Sequence, residues 1–168
     1  WIRYARINVE YDSKMFMIDH INSNGTGGYT LRYFTDFNNN ANAVAAFKRA
    51  LESWRCGTYI HWIVGSTTTT DVSASDGTNV VRFDNGAELA SGVLGIAQSY
   101  YAGCFTANDS LWYLEEIDIT FDDATTWEYG PVAPSVSESD FESVCVHELG
   151  HAHQLGHVNN TNWVMNYS

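Results

Sequence analysis

Apolar side chains recur along this chain with two spacings, and together they predict both strands and helices. Alternation of apolar and polar residues, rich in aromatic and β-branched side chains, predicts short strands. These lie at residues 29–34, 58–64, 80–83 and 116–121. Apolar residues at steps of three and four predict a helix from about Ala41 to Trp54. Its core-facing stripe consists of Val44, Phe47, Leu51 and Trp54.

Polar residues at the ends of these segments mark helix starts and loops. The three asparagines at 38–40 supply capping side chains for the first helix. Segment 66–79 is rich in Thr, Ser, Asp and Gly, which predicts a loop. Ser139 and Glu142 have the spacing of a capping box, which predicts the start of a second helix. The side chains that this helix should turn toward the core are Phe141, Val144, Cys145 and Leu149.

The composition is that of one folded domain. The 168 residues suffice for a single buried core, and 45% of them are apolar, so we expect one domain over residues 1–168. The net charge of −12 argues against nucleic acid or an anionic membrane as a partner. No stretch is long and apolar enough to span a bilayer.

The first residue and the cysteines indicate whether the chain has been proteolytically processed and whether the protein is secreted. Because the chain begins at Trp1 rather than Met, we expect either a processed product or an expressed fragment. In a processed, secreted product a signal peptide and an inhibitory pro-segment would both have been removed. Cys145 lies about 200° round the second helix from His147, so it should be a buried thiol. A Cys56–Cys104 disulfide would suit a secreted protein, but the sequence does not establish it.

A cluster of histidines near the C-terminus carries the candidate chemistry. His147 and His151 are four residues apart, and a helix presents both imidazoles on one face about 40° apart, so that they can bind one metal ion. Glu148 can reach a water molecule at that metal without being a ligand. A third ligand at His157 requires the chain to turn back after the helix. Three imidazoles leave tetrahedral Zn²⁺ with an open position, as in catalytic zinc sites.

This pattern resembles the zinc signature of the metzincin metallopeptidases, H-E-x-x-H-x-x-G-x-x-H, and the residues around Met165 resemble their Met-turn. The resemblance implies a zincin-like α+β catalytic domain, in which a twisted mixed five-stranded sheet accompanies a long early helix and an active-site helix. It also implies that Met165 supports the site from beneath without touching the metal. The turn glycine of the signature falls on Gln154 in this chain. Either Gln154 accepts the strain of a left-handed conformation at the end of the helix, or the helix ends later and the chain turns at Gly156.

Residues 92–97 resemble the edge strand that metzincins, especially the matrixin branch, place along the cleft, and this resemblance implies a strand there. The resemblance implies that an extended protein or peptide substrate pairs with it through main-chain hydrogen bonds. An ordinary edge strand remains the alternative. The residues concerned are Gly92, Val93, Leu94, Gly95, Ile96 and Ala97.

Tyr167 departs from the matrixin pattern, because it lies two residues after the Met-turn methionine rather than one. That position resembles the astacin and serralysin branches. There the phenol can be a fifth zinc ligand that swings aside and donates a hydrogen bond to the oxyanion. Packing under the cleft is the alternative.

Two other sets of polar side chains are candidate metal ligands. Asp71, Asp76 and Asp84 could hold Ca²⁺ through oxygen ligands, but a solvated loop is the favoured interpretation. His153 points to another face than His151, so we expect it to be exposed to solvent and not to bind the metal.

The sequence therefore predicts a secreted, monomeric zinc endopeptidase. Zinc on His147, His151 and His157 would polarise the scissile carbonyl, and Glu148 would act as the general base. A zinc-dependent amidase or deacetylase, and a non-catalytic binding module with the same fold, remain as alternatives. An extended edge strand at the cleft would count against the first, and the intact Glu148 counts against the second.

Overall fold

A computed structural model describes residues 30–58, 62–105 and 110–166, with side chains described outside 102–113. Five strands form one sheet: β1 (Thr30–Tyr33), β2 (Ile63–Val64), β3 (Val80–Phe83), β4 (Gly95–Phe105) and β5 (Ser110–Phe121). Their spatial order is β2-β1-β3-β5-β4. Neighbouring strands run parallel except β4, which is antiparallel to β5. The predicted mixed five-stranded sheet is confirmed, and β4 forms one of its edges.

Two strands begin later than the sequence predicted. The segment predicted as a strand from residue 58 is still helical at Thr58, and β2 covers only Ile63–Val64. His61 lies outside the described residues. The strand predicted from Gly92 begins at Gly95. Gly92 has φ +83° in a turn closed by the bond from the Val93 N–H to the Ala90 carbonyl (2.9 Å), and this turn delays the strand.

Within the described residues, three helices pack with this sheet: α1 (Thr35–Asn39), α2 (Ala41–Thr58) and α3 (Phe141–Ala152). Asn40 caps α2, since its Oδ1 accepts from the N–H of Ala43 at 3.1 Å. A short ribbon pairs β6 (Trp127–Glu128) with β7 (Ser139–Asp140) just before α3.

The buried face of α2 is turned slightly from the predicted stripe. Its fully buried side chains are mostly small: Ala43, Ala46, Phe47 and Ala50. Val44, Leu51 and Trp54 are only partly buried at its margins. Short alanine side chains let α2 approach α3 closely, and the indole of Trp54 donates to the Val146 carbonyl of α3 at 2.8 Å.

The predicted capping box at the start of α3 is wrong by one residue. Asp140 is the cap, and its Oδ1 accepts from the Ser143 N–H at 3.2 Å. Ser139 is held in β7 opposite Trp127. The carboxylate of Glu142 does not reach back along the helix, because it forms an ion pair with Arg49 of α2 at 2.6 Å.

Aromatic side chains fill the space between α3 and the sheet. Phe141 at the start of α3 lies 4.7 Å from Phe121 of β5, measured between ring centroids. Cys145 and Leu149, one and two turns further on, are fully buried as predicted. Val144 is half-buried: it packs against this core, as predicted, and also lines the cleft. The opposite face of α3 is thereby left for the histidines.

Two further findings concern cysteine and membranes. Cys56 is an exposed free thiol, so the disulfide considered for it is not formed, and the side chain of Cys104 lies outside the described residues. Within the described ranges, each helix is too short or too polar to cross a membrane.

Candidate active site

The end of α3 turns the chain so that a third histidine faces the first two. Gln154 follows the helix with φ +65°, the left-handed conformation that usually requires glycine. Its N–H donates to the His151 carbonyl at 2.7 Å, and the Leu155 N–H donates to the Gly150 carbonyl at 3.0 Å. Of the two alternatives left by the sequence, Gln154 rather than Gly156 makes the turn.

The Nε2 atoms of the three histidines form a nearly equilateral triangle. They are 3.1 Å apart between His147 and His151, and 3.0 Å from each of these to His157. Zinc bound tetrahedrally at about 2.0–2.1 Å would hold neighbouring nitrogens about 3.3 Å apart. The triangle therefore fits a zinc ion with a small outward movement of the rings.

Backbone carbonyls select the tautomer that this site needs. Nδ1 of His147 lies 2.7 Å from the Val164 carbonyl oxygen, and Nδ1 of His151 lies 2.9 Å from that of Leu155. A carbonyl can only accept, so each Nδ1 carries the proton and each Nε2 presents a lone pair. Burial lowers the pKa of His151 and of His157, which favours the neutral ring that a metal requires.

Glu148 lies beside this triangle in a largely dehydrated position. Its side chain is only 5% exposed, and burial raises its pKa to about 7 against the opposing hydrogen bond from the Ala97 N–H. Its Oε2 has no hydrogen-bond partner among the described residues. A buried carboxylate oxygen without a donor is costly, so a proton or a water molecule is expected there.

Glycines bring the helix close to both of its neighbours. A methyl group at Gly95 of β4 would lie 3.1 Å from Cγ and 3.2 Å from Oε1 of Glu148. A methyl group at Gly150 would overlap the Met165 sulfur. Sequence reasoning gave Gly150 no role, although a glycine inside a helix is itself a signal of close approach.

Met165 is buried beneath the histidines, at 6% exposure. Its carbonyl accepts from the Val158 N–H at 2.8 Å, which ties the segment after His157 to the segment around Met165. The preceding Val164 supplies the acceptor for His147. This position agrees with a support beneath the site. Tyr167, the other candidate in this segment, lies outside the described residues.

An open cleft runs across the histidine triangle. One side is formed by all six residues at 92–97, and the other includes residues 161–164. Within the described part of the chain, β4 pairs with β5 alone, so its second edge is free toward the cleft. The residues predicted to bind substrate, 92–97, therefore line the cleft, although only Gly95, Ile96 and Ala97 belong to β4.

The expectation that His153 is exposed is wrong. Its side chain is 6% exposed and stacks on Trp54 at 4.7 Å between ring centroids. The indole N–H of Trp62 donates to its Nε2 at 2.8 Å. His153 is on another face than the metal-facing histidines, as predicted, but that face packs against α2 rather than water.

The three aspartates considered for calcium do not form a cluster. Asp71 pairs with Arg82 at 3.2 Å, and the backbone N–H of Asp76 donates to Glu116 at 3.0 Å. Asp84 groups instead with Asp122 and Asp123, and its two oxygens accept the N–H groups of Asp123 and Leu89. The structure gives no support to the predicted set.

A five-stranded mixed sheet, with paired histidines on the helix beneath its edge strand, defines a metzincin-like metallopeptidase core. The sequence model of the matrixin family, peptidase family M10, matches residues 23–168. The chain therefore belongs to the matrixin family, whose members are zinc-dependent metallopeptidases and typically extracellular. No curated protein matches the chain at a significant level.

Proposed function

We propose that this protein is a secreted zinc endopeptidase, which hydrolyses peptide bonds of protein substrates bound in extended conformation along β4. The observation that carries the proposal is the convergence of three histidine Nε2 atoms, a buried carboxylate and a free strand edge on one cleft. The family gives the zinc metallopeptidase class, and this geometry supports the particular assignment to protein substrates.

His147, His151 and His157 would hold the zinc ion through Nε2. When bound, zinc supplies a Lewis acid that polarises the scissile carbonyl and acidifies a water molecule. The carbonyls of Val164 and Leu155 keep the rings of His147 and His151 in the required orientation. Met165 packs beneath the site and contributes shape rather than a ligand.

Glu148 would act as the general base. Its unpartnered Oε2 is free to accept a proton from the attacking water and pass it to the leaving amine. The hydrogen bond from Ala97 and the contact with Gly95 hold the carboxylate in place. The base is therefore positioned by the same strand that would bind the substrate.

The free edge of β4 favours an endopeptidase over an amidase or deacetylase. An extended peptide can add to it as a further strand, so that main-chain hydrogen bonds supply affinity along several residues. A small non-peptide amide would not use this edge. The proposal includes a monomer that has been released from its own pro-segment.

The proposal is tested by zinc analysis and a protein-cleavage assay on wild type and Glu148→Ala. The variant is expected to retain zinc and its fold but to lose cleavage, because it removes proton transfer and no ligand. The matched control is Glu115→Ala, which removes an exposed carboxylate from β5 and should leave cleavage unchanged. Cleavage by Glu148→Ala, or its loss of zinc, would contradict the assigned role.

Tyr167 is proposed as a donor to the oxyanion, on the strength of its place two residues after Met165. If so, Tyr167→Phe should lower kcat by about a hundredfold with little change in KM and with zinc retained. An unchanged kcat would assign this tyrosine to packing.

A further inference from the structure

Gln154 occupies a position where its backbone is strained and its side chain is buried. A non-glycine residue in the left-handed region is strained, because its Cβ comes too close to the following carbonyl oxygen, and the metzincin signature places glycine here. Yet the side chain of Gln154 is only 4% exposed. A long amide that is both strained and buried needs compensating contacts, and these lie on β4.

The amide of Gln154 links the end of α3 to the edge strand. Its Nε2 donates to the Ser99 hydroxyl at 3.0 Å, and its Oε1 accepts from the Tyr101 hydroxyl. Nε2 also lies 3.4 Å from the carbonyl oxygens of His151 and Ala152. Gln154 therefore spans from the turn that follows His151 to two side chains of β4.

The link is made next to an irregularity in the pairing of β4 with β5. The regular pairing of β4 with β5 shifts register between Tyr100 and Tyr101. Such a bulge interrupts the ladder and leaves the strand locally less constrained. Ser99 and Tyr101 flank this point, and both line the cleft.

We infer that Gln154 is a positioning residue, which fixes the part of β4 around Ser99 and Tyr101 at a set distance from the metal-binding helix. This inference rests on the proposed function, because it concerns how β4 presents its edge to a substrate. Gln154 acts through β4 and does not touch the reacting atoms. Main-chain pairing along β4 is made in both the bound substrate and the transition state, so a loosened strand should raise KM and leave kcat nearly unchanged.

Two variants remove hydrogen bonds between Gln154 and β4, one by changing Gln154 and the other by changing its partner Tyr101. Gln154→Gly deletes the amide and relieves the left-handed strain, so losses and gains in stability should largely cancel. Tyr101→Phe deletes one hydroxyl from a side chain that is already 39% exposed. The matched control is Asn40→Ala, which removes the α2 cap and a bond to Tyr129 but lies away from the cleft.

The first measurement is steady-state kinetics on a peptide long enough to pair from Gly95 to Tyr101. Each variant should raise KM about three- to tenfold, the effect of one or two hydrogen bonds, with kcat within about twofold of wild type. The double variant should be no worse than Gln154→Gly alone, because both changes break the same link. Asn40→Ala should lower the melting temperature without raising KM. An unchanged KM, or additive effects in the double variant, would overturn the inference.

The second measurement, amide hydrogen exchange of the zinc-loaded protein, does not depend on activity. Both variants should exchange faster in β4 at residues 97–101, while α3 keeps its protection. Unchanged exchange in β4 would overturn the inference even in an active enzyme. Absence of cleavage by the wild type would instead remove the proposed function, and the exchange result would still decide the role of Gln154.

Discussion

Gly150 of α3 lies directly against the thioether of Met165, with no room for a methyl group between them. On its other side the indole of Trp54 would lie 3.1 Å from such a methyl group. The metal-binding helix α3 is therefore packed between α2 and the segment around Met165, and Gly150, which has no side chain, lies at the point of contact. Since Val164 adjoins Met165, the distance from His147 to the Val164 carbonyl depends on this close approach.

Gly150→Ala is expected to destabilise the fold by about 1–3 kcal/mol, as an overpacked core position. It should also weaken zinc retention, because Met165 and the adjoining Val164 carbonyl must move away from His147. Thermal unfolding and zinc content after dialysis against a weak chelator measure the two effects. Gly57→Ala is the control, since nothing lies within 4 Å of its added methyl group near the end of α2. Equal melting temperatures for the two variants would contradict this account.

Gly95→Ala should reduce catalysis through the base. The new methyl group would lie 3.1–3.2 Å from Glu148 and 3.2 Å from the Phe121 ring, so either the carboxylate or the strand must shift. We expect kcat to fall about tenfold or more, which corresponds to about 1.4 kcal/mol in the activation barrier. Zinc content should not change, since no ligand is touched. A wild-type kcat in this variant would show that Glu148 tolerates the displacement.

His153 is predicted to contribute to stability and not to metal binding. His153→Ala removes a ring stacked on Trp54 and leaves the Trp62 N–H without its acceptor, which should cost about 2–4 kcal/mol. His153→Phe keeps a ring at the stack and loses only the acceptor, so it should recover part of that loss. Denaturant unfolding at saturating zinc gives both values. If His153→Ala had the same unfolding free energy as wild type, the packing of His153 against Trp54 would not contribute to stability.

Asp118 should make the fold less stable as pH rises. It is fully buried in β5, its oxygens accept from the N–H groups of Val80 (2.9 Å) and Ala74 (3.0 Å), and burial raises its pKa to about 7. The unfolded value is about 3.9. Between these two values the folded chain binds more protons than the unfolded chain, so the free energy of unfolding falls as pH rises.

The test is the difference in unfolding free energy between wild type and Asp118→Asn, measured from pH 5 to pH 8. Asparagine cannot ionise, so wild type should lose stability relative to the variant as pH rises, by up to about 4 kcal/mol over the full titration. The poorer hydrogen bonding of asparagine adds a constant offset that does not affect this slope. A difference that is flat with pH would show that Asp118 stays ionised throughout.

The local sequence by itself determined the chemistry of the site. His147, Glu148 and His151 are fixed relative to one another by helical periodicity, so their common face follows once the segment is helical. The third histidine required only a turn of known length. The strand at 80–83 and the burial of Cys145 were also predictable, because short-range alternation and helical spacing decide them.

Contacts between distant segments decided what local patterns could not. Whether Gln154 or Gly156 made the turn depended on Ser99 and Tyr101, about fifty residues earlier, whose hydroxyls compensate the strain. His153 appeared exposed because its helical face is polar, but Trp54 and Trp62 cover that face. The position of Glu142 in the sequence matched a capping box, but in the folded protein its carboxylate forms an ion pair with Arg49 of α2 instead. Helical and strand spacing can place a side chain on a face. Only the packed structure shows which residue lies opposite, because that partner is remote in the sequence and its burial changes the energy of every polar contact.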